Sequence, residues 1–257
     1  MGPAYAGPMF FMVAGVSRGP HVSFGCNPCG RSHVIADMRT SLVLAASLLA
    51  SVSALAQDVE HKFQSVVPRG QVQRVVIDIP HGSFTIRNGA AGHIGVSGVA
   101  SRDYDGQQER IWAQKVVDDT SVEVYVNGAE AIVRRRFGRN ADSWRAQKFT
   151  GIDLRLDLPA GMDVRFDTSA GEIDMAGDFG DVSIDLRAGE VDLRVPRAKV
   201  RELNASCRIG EVRAHLGSEV VTKEGILPGR THFFNPKGKS HVNVHVTAGE
   251  VDVTLTQ

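Results

Sequence analysis

The residues best equipped for chemistry in this sequence are carboxylates that return at intervals. Glu172, Glu190, Glu211 and Glu250 each follow a glycine. The phrase is A-G-E-(Ile/Val)-Asp at Ala170–Asp174 and Ala188–Asp192, and looser at Arg208–Arg213 (RIGEVR) and Thr247–Asp252 (TAGEVD). Acids stacked a few ångströms apart repel one another, and a hard divalent cation such as Ca²⁺ relieves that repulsion. Glu172 and Glu190 are therefore candidate metal ligands. Arg187, Arg194, Arg208 and Arg213 lie close by and can relieve the same repulsion, which leaves an ordinary solvated charged face as the competing reading.

A second constellation is basic. Arg134, Arg135, Arg136 and Arg139 run with Phe137 and Trp144 interleaved, followed by Arg145 and Lys148. Cations beside aromatic rings suit an acidic envelope polymer or a phosphate-bearing lipid, and these residues are the candidate ligand-binding set. His241 and His245 bracket Asn243 on one strand face; about 13 Å apart, they do not share one ion. Asp174 with Asp185 has the makings of an acid/base pair of the kind used in polysaccharide cleavage, although acids at every corner make any one pair uninformative.

No G-x-S-x-G, H-E-x-x-H, P-loop or dinucleotide fingerprint occurs, so no catalytic residue and no cofactor is expected. Cys26 and Cys29 form C-N-P-C without a second pair, and Asn204-Ala205-Ser206 matches a short glycosylation sequon.

The elements that must position these groups are strands. Apolar and polar residues alternate in Arg74–Ile79, Ser83–Ile86, His93–Val96, Ser121–Val126, Gly151–Leu158, Asp181–Leu186, Glu190–Val195, His241–Val246 and Glu250–Leu255. Only Gln107–Val117 has a helical pattern, with Ile111, Trp112, Lys115 and Val116 on one face. The fold class expected is all-β.

Gly171, Gly189, Gly210 and Gly249 recur at about 20 residues, with the last interval close to twice that, which is a solenoid period rather than a sandwich one. The expectation is a single β-solenoid (β-helix-like) with a glycine at each coil corner. Ile173, Met175, Val182, Ile184, Leu186, Val191, Leu193 and Val195 would point inward. Residues 101–150 read as an insertion holding a short helix. The strands around Arg74–Ile86 and the terminal EVDVTLTQ read as the end caps.

The front of the chain reads as an address. Met38-Arg-Thr-Ser opens a positively charged start, followed by apolar Leu42–Ala56 ending in Ala-Leu-Ala, the layout of a secretory signal. Residues 38–56 are then the signal, 1–37 a disordered leader from a misplaced start, and 57–257 the mature domain with Cys207 as its lone thiol. Equal counts of 29 basic and 29 acidic residues give no charge argument for nucleic acid. The expected location is periplasmic or extracellular, with no membrane span once the signal is removed.

VVIDIPHGSFTIRNGAAGHIGVSGVA, GIDLRLDLPAGMDVRFDTSAGEIDMAGDFGDVSIDLRAGEVDLRV and GRTHFFNPKGKSHVNVHVTAGEVDVTL together resemble the bacterial putative-adhesin domain of unknown function, a toastrack-like repetitive β-solenoid family. The resemblance spans nearly all of 57–257 and departs at the longer 101–150 segment. It implies an exported protein without catalytic residues. The function expected is a non-enzymatic scaffold or binding module of the cell envelope, its partner an envelope polymer, lipid head group or envelope protein. The alternative is a carbohydrate-active solenoid enzyme using paired surface carboxylates.

Overall fold

Alternation at period two makes extended chain the cheapest way to bury one side of each segment, and the structure follows it. In a computed structural model, residues 58–257 are described, except 105, 140–148, 218 and 226–228. The leader, the signal and Cys26/Cys29 lie outside the described residues. The strands are β1 (Asp58–Pro68), β2 (Arg74–Asp78), β3 (His81–Asn88), β4 (His93–Asp103), β5 (Thr120–Asn127), β6 (Glu130–Phe137) and β7 (Gly151–Leu158). They continue with β8 (Asp163–Ala176), β9 (Val182–Pro196), β10 (Val200–Leu216), β11 (Glu219–Gly225), β12 (Gly229–Phe234) and β13 (Ser240–Thr256). One helix, α1 (Gln107–Asp118), precedes β5. The protein is all-β in class.

All thirteen strands join one open sheet whose main path runs β1-β4-β7-β3-β8-β9-β13-β10-β11. From β7 to β10 the pairing is parallel. β8, β9, β10 and β13 are long because each bends once and continues. In β9, Val182, Ile184 and Leu186 are buried before the bend, and Val191, Leu193 and Val195 after it. The inward parity changes at Ala188-Gly189, so the two limbs of one strand both face the same apolar interior. Pairs of expected strands, such as 181–186 with 190–195, are thus single bent strands.

The bends stack. Gly82, Gly171, Gly189, Gly249 and Gly210 are successive register partners across five neighbouring strands. At Gly189 (φ 137°) and Gly249 (φ 143°) the backbone is one that L side chains rarely adopt. An added Cβ there would also run into the carbonyl oxygen of the preceding glycine in the row. The chain approaches its neighbour so closely at the corner that only hydrogen fits.

The row departs from chain order. Gly249 lies between Gly189 and Gly210, because β13 returns to slot between β9 and β10. The long interval before Gly249 is not two further coils. β11 and β12 instead fold back antiparallel on the second and first limbs of β10, covering the edge that β10 would otherwise expose. The terminal EVDVTLTQ, expected as a cap, is interior: Val251, Val253 and Leu255 are buried. Flanked by apolar rows on both sides, β13 buries more there than it could at an edge. At the other end the edge strand is β1, paired antiparallel with β4, so Arg74–Ile86 is interior as well.

The segment 101–150 joins the sheet through β6, which pairs parallel with β2 and antiparallel with β5. α1 forms where the helical pattern predicts it. It buries Ala113, Val116 and Val117, while Ile111 is 57% exposed. Arg102 is buried under this segment, its guanidinium 4.3 Å from the Trp112 ring centre and its Nη1 donating to Thr150 Oγ1 at 3.5 Å.

Candidate functional site

Because every bent strand turns its apolar side inward on both limbs, the polar residues make two outward faces of regular rows. On the second limb, Glu172, Glu190, Glu250 and Glu211 are register neighbours in one row. Asp174, Asp192, Asp252 and Arg213 form the next row on the same face. Arginines meet three of these acids. Arg87 and Arg194 both meet Asp174, Arg194 also pairs with Asp192, and Arg213 pairs with Glu211. The bonds to Asp192 and Glu211 hold the Arg194 and Arg213 guanidinium groups above their ordinary range. Among the described residues no three His, Cys, Asp or Glu side chains gather closely enough to hold a metal ion. Glu172 and Glu190 stand side by side in the row but do not belong to any such group.

The first limb carries amides, hydroxyls, imidazoles and arginines. One row runs His232, Asn204, Asn243, Ser183, Arg165; the next runs Arg230, Ser206, His245, Asp185, Asp167. Asn204 Nδ2 donates to Asn243 Oδ1 and to Glu202 Oε1, each at 3.1 Å. Ser206 Oγ lies 3.0 Å from His245 Nδ1, and His232 Nε2 lies 3.6 Å from Glu202 Oε1. The Asn204 hydrogen bond first, and the nearby imidazoles after it, hold Glu202 below the usual carboxylate range. His241 meets Asp181 at 3.2 Å through its ring and at 2.8 Å through its backbone N–H, so its imidazole is tied to a turn rather than to His245.

Two hollows open on this face. The larger, about 730 Å³, lies over β10, β12 and β13 and is lined by Asn204, Ser206, Arg208, Arg230, His232 and His245. The smaller, about 380 Å³, is bordered by Arg74, Arg165, Asp167, Asp181 and Asp185.

The basic run is divided by the strand it belongs to. Arg134 and Arg136 extend to one side of β6, where Glu123 of β5 sits between them; Arg136 Nη1 donates to Glu123 Oε1 at 2.5 Å and Arg134 lies at 3.7 Å. That bond from Arg136 is the main cause of a lowered Glu123 carboxyl. Arg135 turns to the opposite side. Its guanidinium stacks 4.3 Å from the Phe137 ring, reaches His81 Nε2 at 3.0 Å and donates to the Thr150 carbonyl at 3.4 Å. Burial lowers the Arg135 guanidinium to about 10, so it stays charged at neutral pH. Arg139 is exposed beyond the strand end, and Trp144, with Arg145 and Lys148, lies outside the described residues. In the sequence, three consecutive arginines hide the alternation that begins with Ala131 and Val133, which are fully buried.

Asp174 and Asp185 belong to different limbs, on opposite sides of the glycine row, and are not neighbours. Asn204 and Ser206, visible in the sequence only as a sequon, sit at the centre of the larger hollow. Arg230 and His232 carry no motif. Their only signal is the alternation in Gly229–Phe233 (GRTHF), and nothing local announces that this segment pairs with β10.

The chain matches no known protein family and no curated protein. Two solved structures overlap it loosely. One is a putative cell adhesion protein from Clostridium sporogenes, 11% identical, covering 77% of this chain and 100% of its own, with a TM-score of 0.42. The other is a putative adhesin from Bacteroides fragilis, 7% identical, covering 76% of this chain and 97% of its own, with a TM-score of 0.20. Both scores are too low to carry an argument, so any functional reading rests on the chain's own geometry. Among the described residues no helix is long and apolar enough to cross a membrane.

Proposed function

We propose that this chain is an exported, non-enzymatic β-solenoid of the toastrack-like kind, presenting a binding face within the bacterial cell envelope. The observation that carries the reading is the pair of in-register polar rows on the first limb, Arg230-Ser206-His245 and His232-Asn204-Asn243, held where β12 pairs antiparallel and β13 parallel with β10. Strand pairing sets such side chains about 4.8 Å apart, a repeat suited to gripping a chain-like polymer at several points. The signal-like Met38–Ala56 segment supports export to the periplasm or the cell exterior.

Purified protein incubated with isolated envelope fractions, then crosslinked and digested, tests this. Retention on envelope material with crosslinks concentrated in β10, β12 and β13 is the expected result. Absence of retention, or crosslinks spread evenly over both limbs, would defeat it.

A further inference from the structure

We infer that the hollow over β10, β12 and β13 binds a saccharide bearing an oxyanion, that is, a carboxylated or phosphorylated sugar unit; this rests on the binding-face reading above and specifies its ligand.

The inference starts from charge. Several outward arginines of this protein are matched by acids: Arg74 by Glu130 and Asp163, Arg155 by Asp157, Arg134 and Arg136 by Glu123, Arg194 by Asp192, Arg213 by Glu211. Arg208 and Arg230 line this hollow together and meet no carboxylate among the described residues, and among the described residues no Asp or Glu lines it. Glu202, next to this set on β10, is engaged by Asn204 and His232. Two exposed guanidinium groups facing one concavity without a counter-charge create a field that an anion fills, and the planar guanidinium matches carboxylate and phosphate oxygens.

Charge alone would accept any anion. The floor narrows the choice. Beside the two arginines lie the Asn204 amide, the Ser206 hydroxyl and the His245 and His232 imidazoles, a set of short donors and acceptors at strand spacing. Such a floor pairs with several hydroxyls at once. Ala205, Cys207 and Thr231 complete the lining, and among the described residues no Phe, Tyr or Trp lines it. The volume, about 730 Å³, falls within the range of small-ligand sites and accommodates roughly one or two sugar rings. The floor exists because β12 and β13 flank the same limb of β10 from opposite sides, bringing Arg230 and His245 onto either side of Ser206.

The test is a titration of the full chain by calorimetry with four probes: trigalacturonic acid, its neutral methyl ester, glucose 1-phosphate, and vesicles of phosphatidylglycerol. The inference predicts binding of the acid trimer or the sugar phosphate, and at least about tenfold weaker binding of the ester. It also predicts a loss of about tenfold or more in the double variant Arg208→Gln/Arg230→Gln, and a smaller loss in Ser206→Ala. Arg155→Gln, on a different strand and paired with Asp157, serves as a control that leaves affinity unchanged. Which of the two sugars binds identifies the oxyanion. Failure of both to bind, equal binding of the ester, or wild-type affinity in the double variant with an unchanged melting temperature overturns the inference. So does vesicle binding as strong as sugar binding, since a bare anionic surface would then suffice. If the chain is retained on envelope material while both sugars fail, the ligand assignment falls and the binding-face reading stands. If retention fails too, both fall.

Discussion

The carbonyl oxygen of Gly189 stands where a Cβ on Gly249 would have to go. The two residues are far apart in the chain, yet they form one link of a row in which each corner is packed against the backbone of the next. Close backbone approach at the bend lets both limbs of each strand close over the same interior.

Replacing Gly249 with Ala combines a disfavoured backbone angle with a clash against main chain that cannot move aside. We expect a loss of about 2–4 kcal/mol in urea denaturation. Gly161 also has a positive φ, 74°, but an added Cβ there meets nothing within 4 Å. Gly161→Ala should cost about 1 kcal/mol, the backbone part alone. Equal losses at the two positions would show that the corners are not tightly stacked.

The placement of β13 makes a second prediction. Leu255 is 2% exposed near the end of the chain, a region where truncation is often harmless. Here Leu255→Ala should cost about 2–5 kcal/mol, and a chain ending before Glu250 should give no cooperative melt. Val66→Ala, on edge strand β1 and 57% exposed, should change stability by less than about 0.5 kcal/mol. A cooperative melt in the truncated chain would contradict an interior β13.

How much of this was legible in the sequence depends on the range of the interaction. Alternation identified the strands around Arg74–Ile86 and Gly151–Leu158 and the inward set from Ile173 to Val195, because burial on one face imposes a period that local sequence must carry. The A-G-E phrase marked the bends, because a steric exclusion at one residue leaves a glycine. Gly82 joins the same row, but its phrase H-G-S-F-T-I lacks the acid that made the others recognisable. The order of the row was not legible. Val191 and Val251 would pack equally well beside several rungs, and only the return of β11 and β12 onto β10 decides that β13 enters next to β9. The hollow was hidden for the same reason, since Arg230 and Ser206 meet through antiparallel pairing of segments with no shared motif.

Glu123 supplies a pH prediction. Its carboxyl is held below its ordinary value of 4.5, chiefly by the Arg136 hydrogen bond. A depressed carboxyl stabilises the fold fully above the unfolded value, and that contribution is lost as pH falls through the lower folded value. The melting-temperature difference between wild type and Glu123→Gln should therefore hold steady from about pH 8 to pH 6 and shrink below about pH 4.5. Because the pair is exposed, added salt of about 0.5 M should shrink it as well. A difference that grows on acidification would contradict the assignment.

The row of Glu172, Glu190, Glu250 and Glu211 is the natural place to look for calcium, yet arginines already occupy the neighbouring positions. Addition of about 5 mM calcium should move the melting temperature by less than about 1 °C, since a cation that binds only the folded state would raise it measurably. A rise of several degrees that disappears in Glu190→Gln would assign the row to a metal.

The order of strands in the stack can be read directly by disulfide trapping in chains with Cys26 and Cys29 replaced by Ser. Neighbouring strands set Cα atoms about 4.8 Å apart, within reach of a disulfide, whereas second neighbours at about 9.6 Å are out of reach. Under mild oxidation, Glu190→Cys should link to Glu250→Cys, and Glu250→Cys to Glu211→Cys, while the pair Glu190→Cys with Glu211→Cys stays reduced. Efficient linkage of positions 190 and 211 would mean that β9 and β10 are direct neighbours, and a stack with β13 between them would be wrong.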